Sequence, residues 1–183
     1  PVLLHHPTRK SVGYFGAVRL RDGAFVYRRE TDSFNGETCL AFLQQLYRRA
    51  RRRDRQSVVI VDNAKFHYAS LHQSWREAHR PRFALDFLPP YSPELNPVER
   101  VWKLTRRKRL HNHYFATLDE VICAVESQFQ QWTSPNATLR NYAHLHETLC
   151  IDAFALGCLT SVIAGSSSRL GLAYGRPRNT RSR

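Results

Sequence analysis

Methionine is absent from the 183 residues. No apolar run approaches the ~20 residues that a helix needs to cross a bilayer, so no membrane partner is expected. The four cysteines, Cys39, Cys123, Cys150 and Cys158, contain no C-x-x-C pair. His5, His6, His111 and His113 also lack a matching ligand constellation, which argues against a zinc site. Scattered thiols without a secretion signal fit a reducing cytosol. Acids are scarce as well, 15 against 28 Lys and Arg, for a formal charge of +13. There is no internal repeat, no RNA-binding aromatic motif and no helix-turn-helix reader.

A chain of this length holds one ordinary α/β domain, and 42% hydrophobic content suffices for its core. The Arg-rich surface attracts polyphosphates, because guanidinium groups grip phosphate oxygens in a bidentate manner. Residues Ser11 to Leu20 alternate as a strand, Arg21-Asp22-Gly23 forms a turn, and Ala24 to Arg29 returns as a hairpin partner. The segment Phe34 to Arg53 predicts an amphipathic helix with Leu40, Phe42, Leu43, Leu46 and Tyr47 inward. Its terminal arginines complement the helix dipole or contact nucleic acid, and both readings stand.

Val58 to Val61 is a short β-branched run expected to be a buried parallel strand, with Asp62 where the chain leaves the sheet. Open α/β sheets bind ligands at that edge. Ala69 to His79 suits a short surface helix with Leu71 and Trp75 inward, and Phe83 to Leu88 makes the next strand. The proline-rich loop from Leu88 to Pro93 then leads to Asn96 and Pro97, an N-cap and a first helical residue, which places Glu99 in the first turn. The same N-P-x-E pattern is a capping box, in which Glu99 merely ties off backbone donors. On this helix Val98, Val101, Trp102 and Thr105 form one stripe, whereas Glu99, Lys103, Arg106 and Arg107 share a polar arc. Glu99 and Lys103 are also an ordinary i, i+4 ion pair. Thr117 and Glu120 open a further helix as a capping box, with Val121, Ile122, Val125, Phe129 and Trp132 inward. Trp75, Trp102 and Trp132 each fall on an apolar stripe and are assigned to the core.

The segments DNAKFH at Asp62 to His67 and LPPYSPELNPVERVW at Leu88 to Trp102 resemble the catalytic half of mariner-type DDE transposases, in particular the bacterial insertion-sequence branch. Thirty-six residues lie between the two acids, within that family's spacing for its second and third carboxylates. The resemblance implies a ribonuclease H-like mixed sheet flanked by helices. It also implies Asp62 and Glu99 as catalytic metal ligands, two Mg2+ ions (Mn2+ as an alternative), and DNA, both element ends and target, as partner. Two ions about 3.5 to 4 Å apart would activate the attacking oxygen and stabilise the leaving one. Asn63, His67, Asn96 and Pro97 belong to the matching motifs, with the role of His67 open. The run Lys103, Arg106, Arg107, Lys108 and Arg109 is assigned to DNA, although a charge run alone is more often a solvated face.

That family's first Asp lies on a strand upstream of the hairpin, and residues 1–10 contain no carboxylate. Asp22, Glu30, Asp32 and Asp54 do not end an inner strand, so none is assigned. The simplest expectation is a chain without its first strand, divided into a partial loop at 1–10, an incomplete catalytic domain at 11–143, and an uncertain apolar segment with a disordered basic tail at 144–183. Exposed edges in the middle of the sheet and marginal stability would follow. Such a chain would be inactive alone, cytoplasmic and nucleoid-associated, acting as a homodimer or with a full-length transposase. The alternative is a non-catalytic DNA-binding or transposase-interacting protein. The segment Cys150 to Ala164 is read as an added docking helix or as unrelated read-through sequence.

Overall fold

The computed structural model describes residues 11–31, 33–50, 56–143 and 152–162. The front loop, Asp32, Arg51 to Arg53, Asp54, Cys150 and the basic tail lie outside the described residues.

Five strands form one mixed sheet. The hairpin supplies β1 (Ser11–Arg19) and β2 (Phe25–Glu30), which pair antiparallel from Val18–Phe25 to Gly13–Glu30. At its turn Gly23 has φ 73°, which a side chain would strain, and an added Cβ would lie 2.2 Å from the Asn136 carbonyl oxygen. Asp22 is committed to the same turn: Arg19 grips both carboxylate oxygens and Ala24 N–H donates to Oδ1 at 3.1 Å. Next come α1 (Gly36–Ala50), β3 (Ser57–Val61), α2 (Gln73–His79) and β4 (Phe83–Phe87), followed by α3 (Pro97–Thr105), α4 (Leu118–Gln131) and α5 (Ala137–Ala143). The last described element is β5 (Asp152–Val162).

The spatial order is β2-β1-β5-β3-β4. Thus β5 lies between the hairpin and the parallel pair, antiparallel to β1 along nine residues and parallel to β3 from Ser57–Asp152 to Ile60–Ala155. Two expectations change here. The middle of the sheet has no open edges, and the apolar segment after Ala143 contributes a strand, where a docking helix had been considered. The physical reason is local: β1 and β3 each present a row of backbone donors and acceptors, which an apolar strand can satisfy on both sides at once.

Each face of the sheet has its own core. Phe15, Val26, Phe42, Leu43, Leu46, Val59, Val61, Phe154 and Leu156 pack beneath α1. On the opposite face Tyr14, Phe25, Trp102, Val125, Phe129, Leu139 and Leu159 pack with α3, α4 and α5. Trp102 and Trp132 are buried, and Trp75 packs against the α1 cluster, as the apolar stripes predicted. The α2 region differs from expectation. Residues 70–72 form a 3-10 turn that leaves Leu71 57% exposed and turns His72 inward, where its Nε2 bonds the Phe66 carbonyl at 2.7 Å.

Because Leu159 is fully buried on the central strand, Leu159→Ala should remove about 2 to 5 kcal/mol from urea-unfolding stability. A loss under about 0.5 kcal/mol, the ordinary range for surface sites, would show that β5 is not seated in the sheet.

Candidate acid site at the sheet edge

Asp62 begins immediately beyond β3, at the edge toward which β3, β4 and β5 all run. Its carboxylate is locally constrained. Ala64 N–H donates to Oδ1 at 3.1 Å, and His67 Nε2 lies 3.2 Å from the same oxygen. His67 is fully buried, and its Nδ1 faces Cys39 Sγ at 3.4 Å, so a line of side chains runs from α1 through the imidazole to the acid. Burial pushes the Cys39 thiol up to about 12, which keeps it neutral. Cys39 is fully buried on α1 although the helical spacing did not count it among the inward residues. The His67 carbonyl accepts from Arg76 Nη1 at 3.1 Å, fixing the turn from its other side.

Asn63 joins the strand exit to the proline loop. Its Nδ2 donates to the Leu88 carbonyl at 2.6 Å, while Tyr68 Oη donates to its Oδ1 and stacks on Phe87. Asn96 is the N-cap of α3: its Oδ1 accepts from Val98 N–H at 3.3 Å, and Pro97 is the first helical residue. The same buried side chain donates through Nδ2 to the Leu156 carbonyl on β5 at 2.9 Å. One residue therefore sets both the start of α3 and its distance from the sheet.

Glu99 stands in the first turn of α3 and senses Asp62 electrostatically. Burial raises its pKa above the ordinary carboxylate range, Arg106 and Lys103 pull it down, and the Asp62 charge pushes it up. Among the described residues no backbone donor acts on this carboxyl, in contrast to Glu120, whose carboxylate accepts from Ala116 N–H at 2.9 Å in a working cap. The capping role proposed for Glu99 is thus the weaker reading. Asp62 shifts the opposite way. Burial opposes its charge, but the adjacent His67 imidazole and the Ala64 donor prevail and hold its pKa below the usual value.

The basic run is divided in its duties. Arg106 to Leu110 continue α3 as a single π-helical turn, closed by His111 N–H on the Arg106 carbonyl at 2.7 Å. Such turns re-aim the side chains that follow them. Arg107 bonds Tyr142 Oη at 2.7 Å and Arg109 bonds Gln128 Oε1 at 2.9 Å, so both are held against α5 and α4. Lys103 and Arg106 face Glu99, and Lys108 is exposed.

Two carboxylates, one biased toward ionisation and one against it, can share a single cation whose other positions are filled by substrate phosphates. They do not fit a two-ion set. Among the described residues no group of three or more His, Cys, Asp or Glu side chains is placed to hold a metal. Glu30 also lies at this edge, but β2 is three strands from β3, on the order of 14 Å at the usual strand spacing.

Acids gathered at the carboxyl edge of a mixed five-stranded sheet with helices on both faces define a ribonuclease H-like α/β protein. A family model described as "DDE superfamily endonuclease" matches residues 1–122, and the chain belongs to that family. It is 36% identical over 93 residues to "Uncharacterized protein y4pE/y4sA" of Sinorhizobium fredii (strain NBRC 101917 / NGR234), covering 48% of this chain and 65% of that protein. It is 32% identical over 93 residues to "Insertion element IS630 uncharacterized 39 kDa protein" of Shigella sonnei, covering 51% of this chain and 25% of that protein. The chain thus spans under two thirds of the first relative and a quarter of the second. No solved structure matches. No helix among the described residues is long and apolar enough to cross a membrane.

The opposed shifts predict opposite pH effects on stability. Asp62 stabilises the fold when ionised, and that contribution is lost as pH falls through its depressed folded-state pKa. Glu99 opposes folding when ionised, so its penalty grows as pH rises through its elevated range. In urea titrations at about pH 7, well above the ordinary carboxylate range, Glu99→Gln should be more stable than wild type and Asp62→Asn less stable. The Glu99 difference should shrink as pH falls toward about 4, whereas the Asp62 difference should persist there and be lost only as pH falls further, through its depressed folded-state pKa. The reverse order at neutral pH would contradict this assignment.

Proposed function

We propose that the chain is the catalytic-domain portion of a mariner-type transposase that engages DNA, element ends and target, along the edge holding Asp62 and Glu99. Its family performs metal-dependent phosphoryl transfer, with Mg2+ or Mn2+ supplying charge neutralisation at the phosphorus. The observation that carries this reading is that two acids separated by thirty-six intervening residues stand at one sheet edge beside the cationic arc of α3. Asp62 and Glu99 hold the cation, His67 and Asn63 position Asp62, and Asn96 and Pro97 position Glu99. Lys103, Arg106 and Lys108 neutralise the DNA backbone, with Arg107 and Arg109 assisting from their anchored positions.

The chain is inactive by itself in this reading, because the donor set falls short of two ions. That shortage favours a second reading, a non-catalytic DNA-binding protein that associates with a full-length transposase. A homodimer is the corresponding arrangement if two copies hold paired ends. Either assignment places the protein in the cytoplasm, near the nucleoid.

Fluorescence anisotropy with duplex DNA tests the shared element. Affinity should fall steeply with salt, and Lys103→Ala or Arg106→Ala should each lower the log–log slope by about 1. Arg109→Ala should change it less, since that guanidinium is engaged by Gln128. A shallow slope in the unmodified protein would remove DNA from the proposal. Nicking of supercoiled plasmid with Mg2+ or Mn2+ that disappears in Asp62→Ala would overturn the claim of inactivity.

A further inference from the structure

β5 fills the strand position next to β3, and therefore supplies one wall of the acid site. Its register determines which residues form that wall. Ile60 is level with Ala155, so two further residues bring Asp62 level with Gly157, beside Cys158. Gly157 faces α3, where an added Cβ would lie 2.6 Å from Val98 Cγ1 and 3.6 Å from Asn96 Nδ2. That face has no room for a side chain. Cys158 faces the other way, against the α1 cluster, and is level with Phe15 on β1. Its thiol feels the charges of Asp62, Cys39, Glu99 and Glu30, which places it among the acids of this edge.

The one carboxylate on β5 is at the wrong end. Asp152 pairs with Ser57, five residues before Asp62 along parallel strands, or roughly 16 Å at the usual rise per residue. It cannot share a cation with Asp62.

We infer that position 158 on β5 is the third position of the acid site, and that this chain fills it with a thiol where a hard cation requires an oxygen. The inference rests on the acid-site reading above and adds the residue that limits it. Three observations converge: the strand register, the closure of the neighbouring position by Val98 and Asn96, and the placement of the only β5 carboxylate at the opposite edge. A half-buried neutral thiol offers Mg2+ or Mn2+ little, because hard cations select oxygen donors. An aspartate at the same place would add a third oxygen ligand from a strand already fixed between its neighbours.

The test uses the full chain and Mn2+ alone, followed by electron paramagnetic resonance and calorimetry. Wild type and Cys158→Ala should take up Mn2+ weakly and without saturation. Cys158→Asp should bind it saturably and at least tenfold more tightly, and adding Asp62→Asn should abolish the gain. A folded Cys158→Asp protein that binds no better than Cys158→Ala would overturn the inference, as would wild type binding as tightly as the aspartate variant. If circular dichroism shows that Cys158→Asp is unfolded, Cys158→Asn brings an oxygen without a buried charge. It should then exceed Cys158→Ala in Mn2+ affinity, and equality would overturn the inference. Anisotropy on the same samples separates the two claims: Mn2+ uptake without DNA binding supports the role of position 158 while removing the DNA-acting reading.

Discussion

The seating of β5 between β1 and β3 is the constraint on which the rest of the structure depends. Without it the hairpin and the parallel pair would be two separate ribbons, each with an unsatisfied edge facing the other. With it, both rows of backbone groups are satisfied, and its side chains supply both cores at once: Phe154 and Leu156 to the α1 face, Ala155 and Leu159 to the opposite face. From Ala153 to Leu159 the strand is largely apolar because each of its faces packs against a core. Its glycine is explained by close approach, since Gly157 leaves the space into which Val98 of α3 packs.

The acid site inherits its geometry from two supports on opposite faces. From the α1 face, Cys39 and His67 hold Asp62; from the other, Asn96 fixes the first turn of α3 and with it Glu99. The acids therefore approach one another from independently packed elements across the end of the sheet. The electrostatic result is unequal. The Ala64 N–H and the His67 imidazole keep Asp62 ionised, whereas Glu99 has charges nearby but no backbone donor among the described residues, so burial dominates. A positive charge placed between the two acids would relieve the penalty on Glu99.

Much of this was legible in the sequence because it is local. The hairpin, the capped start of α3 at Asn96-Pro97, the Thr117–Glu120 cap and the buried tryptophan stripes each depend on spacing within a few residues. The pairing of Asp62 with Glu99 was legible only through the family's motif and spacing, as no local rule joins residues so far apart. What escaped was non-local. An apolar segment such as Cys150 to Ala164 has no periodicity that separates a buried strand from a buried helix, and its place depends on the edges of β1 and β3, both far earlier in the chain. Leu71 was assigned inward on α-helical spacing, but the chain there makes a 3-10 turn, which rotates His72 inward instead. The arginines of the π-helical turn looked equivalent in sequence and are not, because Tyr142 and Gln128 each claim one.

The middle strand of the sheet is also the last of the described strands to leave the ribosome. The hairpin, β3 and β4 are synthesised with their central edges unmet, and Asn96 cannot complete its bond to the Leu156 carbonyl until residue 156 has emerged. Contacts of such long sequence separation form slowly. During that interval the open edges are exposed to other nascent chains, so correct assembly of the acid site is timed by translation of the strand that will enclose it.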